Sequence, residues 1–215
     1  MSDLGASIRA WQLGWTACKG LRPAYEIDGG LEVHVAQPGR EREAFALSDD
    51  VETVSQLASY AAGADVPTWL TVMTNEPDRT TEALTAAGLL VPGPHETFMT
   101  AEVTRVRAQR PPDGYTVTVQ QTRSVLRATV RAADGDEAAS GTMAVHDDHA
   151  VAHDIVTEPD HRRRGLGSVV MARLGIAAHD LGARTAYLIA SPDGERLYTS
   201  LGWEPLSSVV SGHPR

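Results

Sequence analysis

Arg162-Arg163-Arg164-Gly165-Leu166-Gly167-Ser168 constrains this chain more than any other stretch, because an apolar strand runs straight into it and a helix runs straight out. The strand is expected over Ala150–Thr157. The helix is expected over Ser168–Leu181, with Leu166, Val170, Leu174, Ala177 and Leu181 recurring near the 3.6-residue period. The first N–H groups of a helix have no carbonyl to bond and carry partial positive charge, so they attract anions. Gly165 and Gly167 remove Cβ atoms that would hold a ligand off those donors, and three arginines add full charges beside them. The loop therefore predicts a phosphate or diphosphate site. Two glycines between a strand and a helix also make an ordinary tight connection, so the pattern needs support from the rest of the chain.

The residues that follow supply it. After the stop Leu181-Gly182-Ala183 comes a second apolar strand, Thr185–Ala190, then a short loop, Ser191-Pro192-Asp193-Gly194. A helix then ends Leu197-Tyr198-Thr199-Ser200-Leu201-Gly202-Trp203. Arg162-x-x-Gly165-x-Gly167, followed at this distance by Leu197-Tyr198 and Gly202-Trp203, resembles the GCN5-related N-acetyltransferase (GNAT) superfamily over roughly residues 115–206. The resemblance implies an α/β (α+β) acyl-CoA N-acyltransferase fold, a mixed and mostly antiparallel sheet around one parallel strand-helix-strand pair. A crossover of this kind makes its two strands parallel neighbours, and ligands favour their carboxyl ends, here Thr157 and Ala190.

The same resemblance implies acetyl-CoA, or another acyl-CoA, as donor, with no metal. Its diphosphate would rest on Arg163, Arg164, Gly165, Leu166, Gly167 and Ser168, beside Arg162. Its pantetheine arm would lie along Ile155-Val156-Thr157 like an added strand. Ser191 stands where relatives commonly carry an asparagine that contacts this arm.

The implied chemistry is direct attack of a primary amine on the thioester in a ternary complex. If the two parallel strands splay, a backbone N–H near Val156 could stabilise the developing oxyanion. Tyr198 is the candidate acid, because a phenol with an ordinary pKa near 10 keeps its proton at neutral pH. Glu158, His153 and Asp154 are the candidate bases. Strand alternation puts His153 and Asp154 on opposite faces, so at most one faces the acceptor directly, and His153 has the suitable ordinary pKa. A base acting through water, or an amine that arrives neutral, stays open. The alternative reading is a non-catalytic acyl-CoA sensor or scaffold, against which the intact Tyr198 weighs; a third is another phosphate-bearing nucleotide at the same loop. The acceptor, whether small molecule, peptide or protein, is not legible.

Composition narrows the setting. No stretch approaches the ~20 apolar residues of a membrane helix, and Met1-Ser2-Asp3-Leu4-Gly5 does not read as a signal peptide. The single Cys18 excludes an internal disulfide framework and fits the cytoplasm. His146-Asp147-Asp148-His149 reads as a hairpin loop rather than a metal site. A net charge of −9 argues against general nucleic-acid binding. A homo-oligomer is possible on these grounds.

The chain is expected to divide at the basic run and Pro111-Pro112-Asp113-Gly114, into halves 1–107 and 113–215. Strands are expected at Tyr115–Val119, Ser124–Ala132 and Ala138–Val145, with a turn at Asp134-Gly135-Asp136. The first half echoes the second: a helix at Val51–Ala62, a strand at Thr68–Thr74, a helix at Arg79–Ala87 and a strand at Phe98–Val103. Its first helix follows Leu47-Ser48-Asp49-Asp50, an acidic N-cap that repels phosphate, and Leu84 stands where Tyr198 does. These features read as a degenerate acetyltransferase-like half that binds no cofactor. Relatives place two helices where the second half has only Gln120-Gln121-Thr122-Arg123. The first half is therefore expected to wall the acceptor pocket, through Ile8–Lys19 or Val51–Ala62.

Overall fold

The computed structural model describes residues 4–103 and 109–215. Residues 104–108 of the expected linker lie outside the described residues, as do the first three of the chain. The elements of the first half are α1 (Leu4–Lys19), β1 (Tyr25–Ile27), β2 (Gly30–Gln37), β3 (Arg40–Ala46), α2 (Val51–Ala62), β4 (Thr68–Thr74), α3 (Pro77–Ala86) and β5 (Glu96–Glu102). Those of the second are β6 (Tyr115–Thr122), β7 (Val125–Ala132), β8 (Glu137–His146), β9 (His149–Thr157), α4 (Leu166–Asp180), β10 (Thr185–Ala190), α5 (Pro192–Ser200) and β11 (Glu204–Gly212). Among the described residues, no helix is long and apolar enough to cross a membrane.

All eleven strands join one sheet, ordered β1-β2-β3-β4-β11-β5-β10-β9-β8-β7-β6. Two neighbouring pairs are parallel, β3–β4 and β9–β10, and each is bridged by a helix, α2 or α4. The expected mixed, mostly antiparallel sheet is present. The two halves repeat one unit, β3-α2-β4-α3-β5 and β9-α4-β10-α5-β11. Each unit sends its last strand into the other: β5 lies between β10 and β11, and β11 lies between β4 and β5.

Helices cover both faces. On one face α2 and α3 bury Ala44, Leu70, Val72, Leu84 and Val210, while α4 and α5 bury Met99, Ala186, Leu188 and Trp203. On the other, α1 buries Trp11 and Trp15 against Phe45 of β3, Phe98 of β5, and Val151 of β9. The Trp15 ring lies 5.4 Å from Phe45 and 6.4 Å from His153, centroid to centroid. In a flat sheet, five strand spacings of about 4.8 Å would hold β3 and β9 about 24 Å apart. The sheet therefore curls around α1. This curl brings the start of β3 towards the carboxyl end of β9.

Of the two segments expected to wall the acceptor side, α1 packs on β8 and β9 with Trp15 against His153, whereas α2 covers the opposite face.

Candidate functional site

The loop between β9 and α4 folds as its composition demands. After a single 3-10 turn at Pro159–His161, Arg163 and Gly165 take left-handed backbone angles, φ 60° and 76°. Gly165 is the N-cap of α4 and has no side-chain cap bond, so the first N–H groups of this helix point out unclaimed by a cap. A left-handed residue at this position favours glycine. Gly167 serves a different purpose from the one its sequence position suggests. A Cβ there would stand 3.0 Å from Leu197 Cδ2, so its bareness brings α4 close to α5. Leu166 is buried in the core and offers a ligand only its backbone.

The three arginines divide their work. Arg162 Nε donates to the Thr157 carbonyl at 3.2 Å. Arg164 is tied to the Tyr115 hydroxyl at 2.8 Å and to the Asp160 carbonyl at 3.2 Å. Tyr115 in turn meets His161 Nδ1 at 2.9 Å, so Arg164 locks the loop onto β6. Arg163 is exposed and has no such tie among the described residues.

Beside this helix start the parallel pair opens. Cα pairing between β9 and β10 runs from His149↔Thr185 to Val151↔Tyr187 and stops, while β10 continues to pair with β5 as far as Ala190↔Thr97. The carboxyl ends of β9 and β10 thus diverge towards the Gly165 turn. In an antiparallel ladder, backbone groups alternate between the two sides of a strand. Glu158 N–H donates to the Ala138 carbonyl on β8, so the Val156 groups also point to β8, and those of Ile155 and Thr157 point into the opening. The backbone N–H near Val156 that faces the opening is accordingly that of Ile155 rather than that of Val156 itself.

Strict alternation fails where the candidate bases lie. Val156 to His153 on β9 faces only Ser140 to Thr142 on β8, so β9 carries one extra residue there. Asp154 occupies the bulge, with φ 51°. Thr142 braces it by donating to the His153 carbonyl at 2.9 Å. His153 lies on the α1 face against Trp15, whereas Ile155 packs into the α4 core, a flip that a regular strand would not make. His153 and Asp154 are consequently neighbours, not opposites: Nε2 and Oδ1 are 3.3 Å apart.

His153 Nε2 is shielded from solvent and makes no hydrogen bond. Burial lowers the imidazole pKa, Asp154 opposes that, and Lys19 and Arg40 lower it further. Glu158 is exposed beyond the strand end. Five residues of extended chain put it roughly 15 Å from His153, on the phosphate side.

Tyr198 lies on the opposite face of the opening, in the core formed with α4 and α5, 8% exposed and with its ring 6.0 Å from Trp203. Burial pushes its phenol up to about 12. Ser191 caps α5, accepting the Gly194 N–H at 3.2 Å, so its hydroxyl keeps its proton and one lone pair for another partner.

In the first half the equivalent helix start is filled by the protein itself. The Asp50 carboxylate accepts the Thr53 N–H at 2.9 Å and the Thr53 hydroxyl at 2.8 Å. Asp49 reaches across to the Thr74 hydroxyl at 3.0 Å and the Asn75 N–H at 3.2 Å, tying down the end of β4.

Residues 125–205 match the family model of the acetyltransferase (GNAT) domain. The matched segment runs from β7 to the start of β11. The match supports acyl transfer, and the matched segment contains the Gly165 turn, the opened strands and Tyr198. The whole chain also shares the fold of solved GNAT proteins. A GCN5-related N-acetyltransferase from Kribbella flavida is 18% identical, covers 100% of this chain and 96% of its own, and gives a TM-score of 0.75. A putative GNAT-family acetyltransferase from Novosphingobium aromaticivorans is also 18% identical, covering 95% and 94%, with a TM-score of 0.59. A tandem GNAT protein from the clavulanic acid biosynthesis pathway is 13% identical over 80% of this chain and 74% of its own, TM-score 0.56. No curated protein matches the sequence.

Proposed function

We propose that this protein is an N-acetyltransferase that uses acetyl-CoA to acylate a primary amine, by direct attack in a ternary complex. One juxtaposition carries the reading: β9 and β10 part beside a helix start that no side chain caps, and the buried phenol of Tyr198 lies on α5 next to it. The unclaimed N–H groups from Arg163 to Ser168, with Arg163 itself, suit a diphosphate. The inward groups of Ile155 and Thr157 suit the pantetheine arm, which would replace the missing part of the β9–β10 ladder.

When bound, acetyl-CoA supplies the activated acyl group; the residues of the chain manage the protons. His153, kept neutral by burial against the opposing pull of Asp154, takes the amine proton. The Ile155 N–H faces the developing negative charge. Tyr198 gives its proton to the leaving thiolate as the carbon–sulfur bond breaks and the carbon–nitrogen bond forms. A phenol raised to about 12 is fully protonated at neutral pH. Free Cys18, its thiol pushed up to about 11 by burial, is held as an inert thiol, in keeping with a cytoplasmic setting.

Release of free thiol from acetyl-CoA, followed across polyamines, aminoglycosides, amino acids and peptides, tests the reading. Tyr198→Phe is expected to lower kcat by about 10²–10⁴-fold with acetyl-CoA affinity retained. Acetyl-CoA binding with no turnover across the panel would instead show a sensor or scaffold.

A further inference from the structure

The acceptor side of the opening carries a carboxylate that the acyl-transfer chemistry does not use. Glu96 begins β5, the strand that the first half inserts beside β10. The next residue, Thr97, pairs with Ala190, the last residue of β10, so Glu96 stands just beyond the carboxyl end of that strand. Its side chain lies on the α1 face. Phe98, two residues on, packs there against Trp11 and Tyr187, while Thr97 points the other way and bonds Glu195 of α5 at 2.8 Å. His153 occupies the same face on β9, across β10.

The other charges at this end of the sheet are disposed differently. Glu43 is buried, ion-paired to Arg40 and bonded by the Thr71 hydroxyl at 2.8 Å. Arg40 also stacks on Trp69, 4.7 Å from its centroid. Lys19 lies over the Trp15 ring at 5.5 Å, beside His153. Glu96 is exposed at the start of the strand and has neither an ion pair nor a hydrogen bond among the described residues; partial burial raises its carboxyl pKa, against the pull of Arg40. At His153 the Asp154 carboxylate, 3.3 Å away, opposes the positive charge of Lys19, whereas at Glu96 an unmatched carboxylate favours an amine that has kept its proton.

Resting on the acyl-transfer reading above, the geometry points to an acceptor that is a short α,ω-diamine: one nitrogen is acylated beside His153, and the distal ammonium is held by Glu96. Two strand spacings separate β9 from β5, roughly 10 Å before the strands splay. An α-amino acid is too short to bridge that distance, and an aliphatic diamine crossing Ile189 on β10 suits it.

Cadaverine and pentylamine differ only in the second amine and are the probes. The wild-type protein is expected to show at least a tenfold higher kcat/KM for cadaverine, and Glu96→Gln is expected to bring that ratio close to one. Calorimetry with cadaverine on the CoA-loaded protein gives an independent readout, since binding lost in Glu96→Gln does not require turnover. A wild-type ratio near one, or a ratio and a cadaverine affinity that survive Glu96→Gln, overturns the assignment. Cadaverine binding through Glu96 with no thiol release from any amine would leave this subsite standing and overturn the acyl-transfer reading instead.

Discussion

Ile155 lies across the bare Cα of Gly141. A Cβ at Gly141 would fall inside van der Waals contact of Ile155 Cδ1 and 2.9 Å from Val170 Cγ1. Glycine is needed here because the bulge at Asp154 turns Ile155 from the α1 face into the α4 core, directly over β8. The bulge and the glycine form one device that turns Ile155 into the α4 core and leaves its inward groups free. Gly141→Ala is therefore expected to cost about 1–3 kcal/mol through overpacking and to weaken acetyl-CoA binding at the same time. Thermal unfolding and calorimetry check this together; a variant that keeps both stability and affinity would separate the bulge from the glycine.

The pH dependence follows from His153. Its imidazole pKa lies below the ordinary value in the folded protein through burial, which outweighs the opposing Asp154 carboxylate, with smaller contributions from Lys19 and Arg40. The acid limb of kcat/KM should consequently fall below pH ~6.5, and Lys19→Met should move it upward. The sign for stability is fixed as well. The unfolded chain takes up a proton as pH falls through ~6.5 while the folded chain resists until lower pH, so this group makes folding less favourable across that window. Rate profiles of the wild type and Lys19→Met test the assignment, and an acid limb that ignores Lys19 would point to a base elsewhere.

The site was legible in the sequence where backbone chemistry shows in residue type, and illegible where it depends on strand order. Gly165 and the apolar runs into β9 and β10 announce their structure, as does the 3.6-residue period of α4. The left-handed turn at Asp154 has no such mark. Aspartate in a strand reads as alternation, and only the mismatch between Ser140–Thr142 and His153–Val156 shows the extra residue. Arg40, Glu41, Arg42 and Glu43 hide β3 because a run of charges resembles a solvated loop, yet Glu43 is 1% exposed. Glu96 escaped notice for a related reason. Its importance comes from the insertion of β5 beside β10, a contact between strands about ninety residues apart that no local pattern encodes.

The repeat of β3-α2-β4 and β9-α4-β10 raises the question of how many acyl-CoA molecules one chain can hold. Asp50 occupies its own helix start, its carboxyl pulled down to about 2 chiefly by the Thr53 N–H, and so stays charged at any working pH. Asp49 bonds Thr74 and Asn75 at the end of β4, where an incoming arm would have to lie. A diphosphate would meet two fixed negative charges in place of Gly165 and Arg163. Calorimetry with acetyl-CoA should give one site per chain, and Arg163→Ala should weaken that site with a smaller salt dependence. A stoichiometry of two would refute the blockage.

The exchange of final strands is expected to keep the two halves from folding apart. β11 pairs only with β4 and β5, so every partner of the last strand comes from the first half. β5 likewise pairs only with β10 and β11. A fragment of residues 109–215 would contain the whole GNAT motif, yet it would leave β11 without a ladder and the edge of β10 bare, and unpaired edges invite aggregation. It would also lose Phe98 from beneath Tyr187 and Trp15 from beside His153. The fragment alone is expected to show no cooperative unfolding and no acetyl-CoA binding, while co-expression with residues 1–103 restores both. The intact chain should melt in a single transition. A soluble 109–215 that binds acetyl-CoA with unchanged affinity would mean that the inserted strand is dispensable to the site.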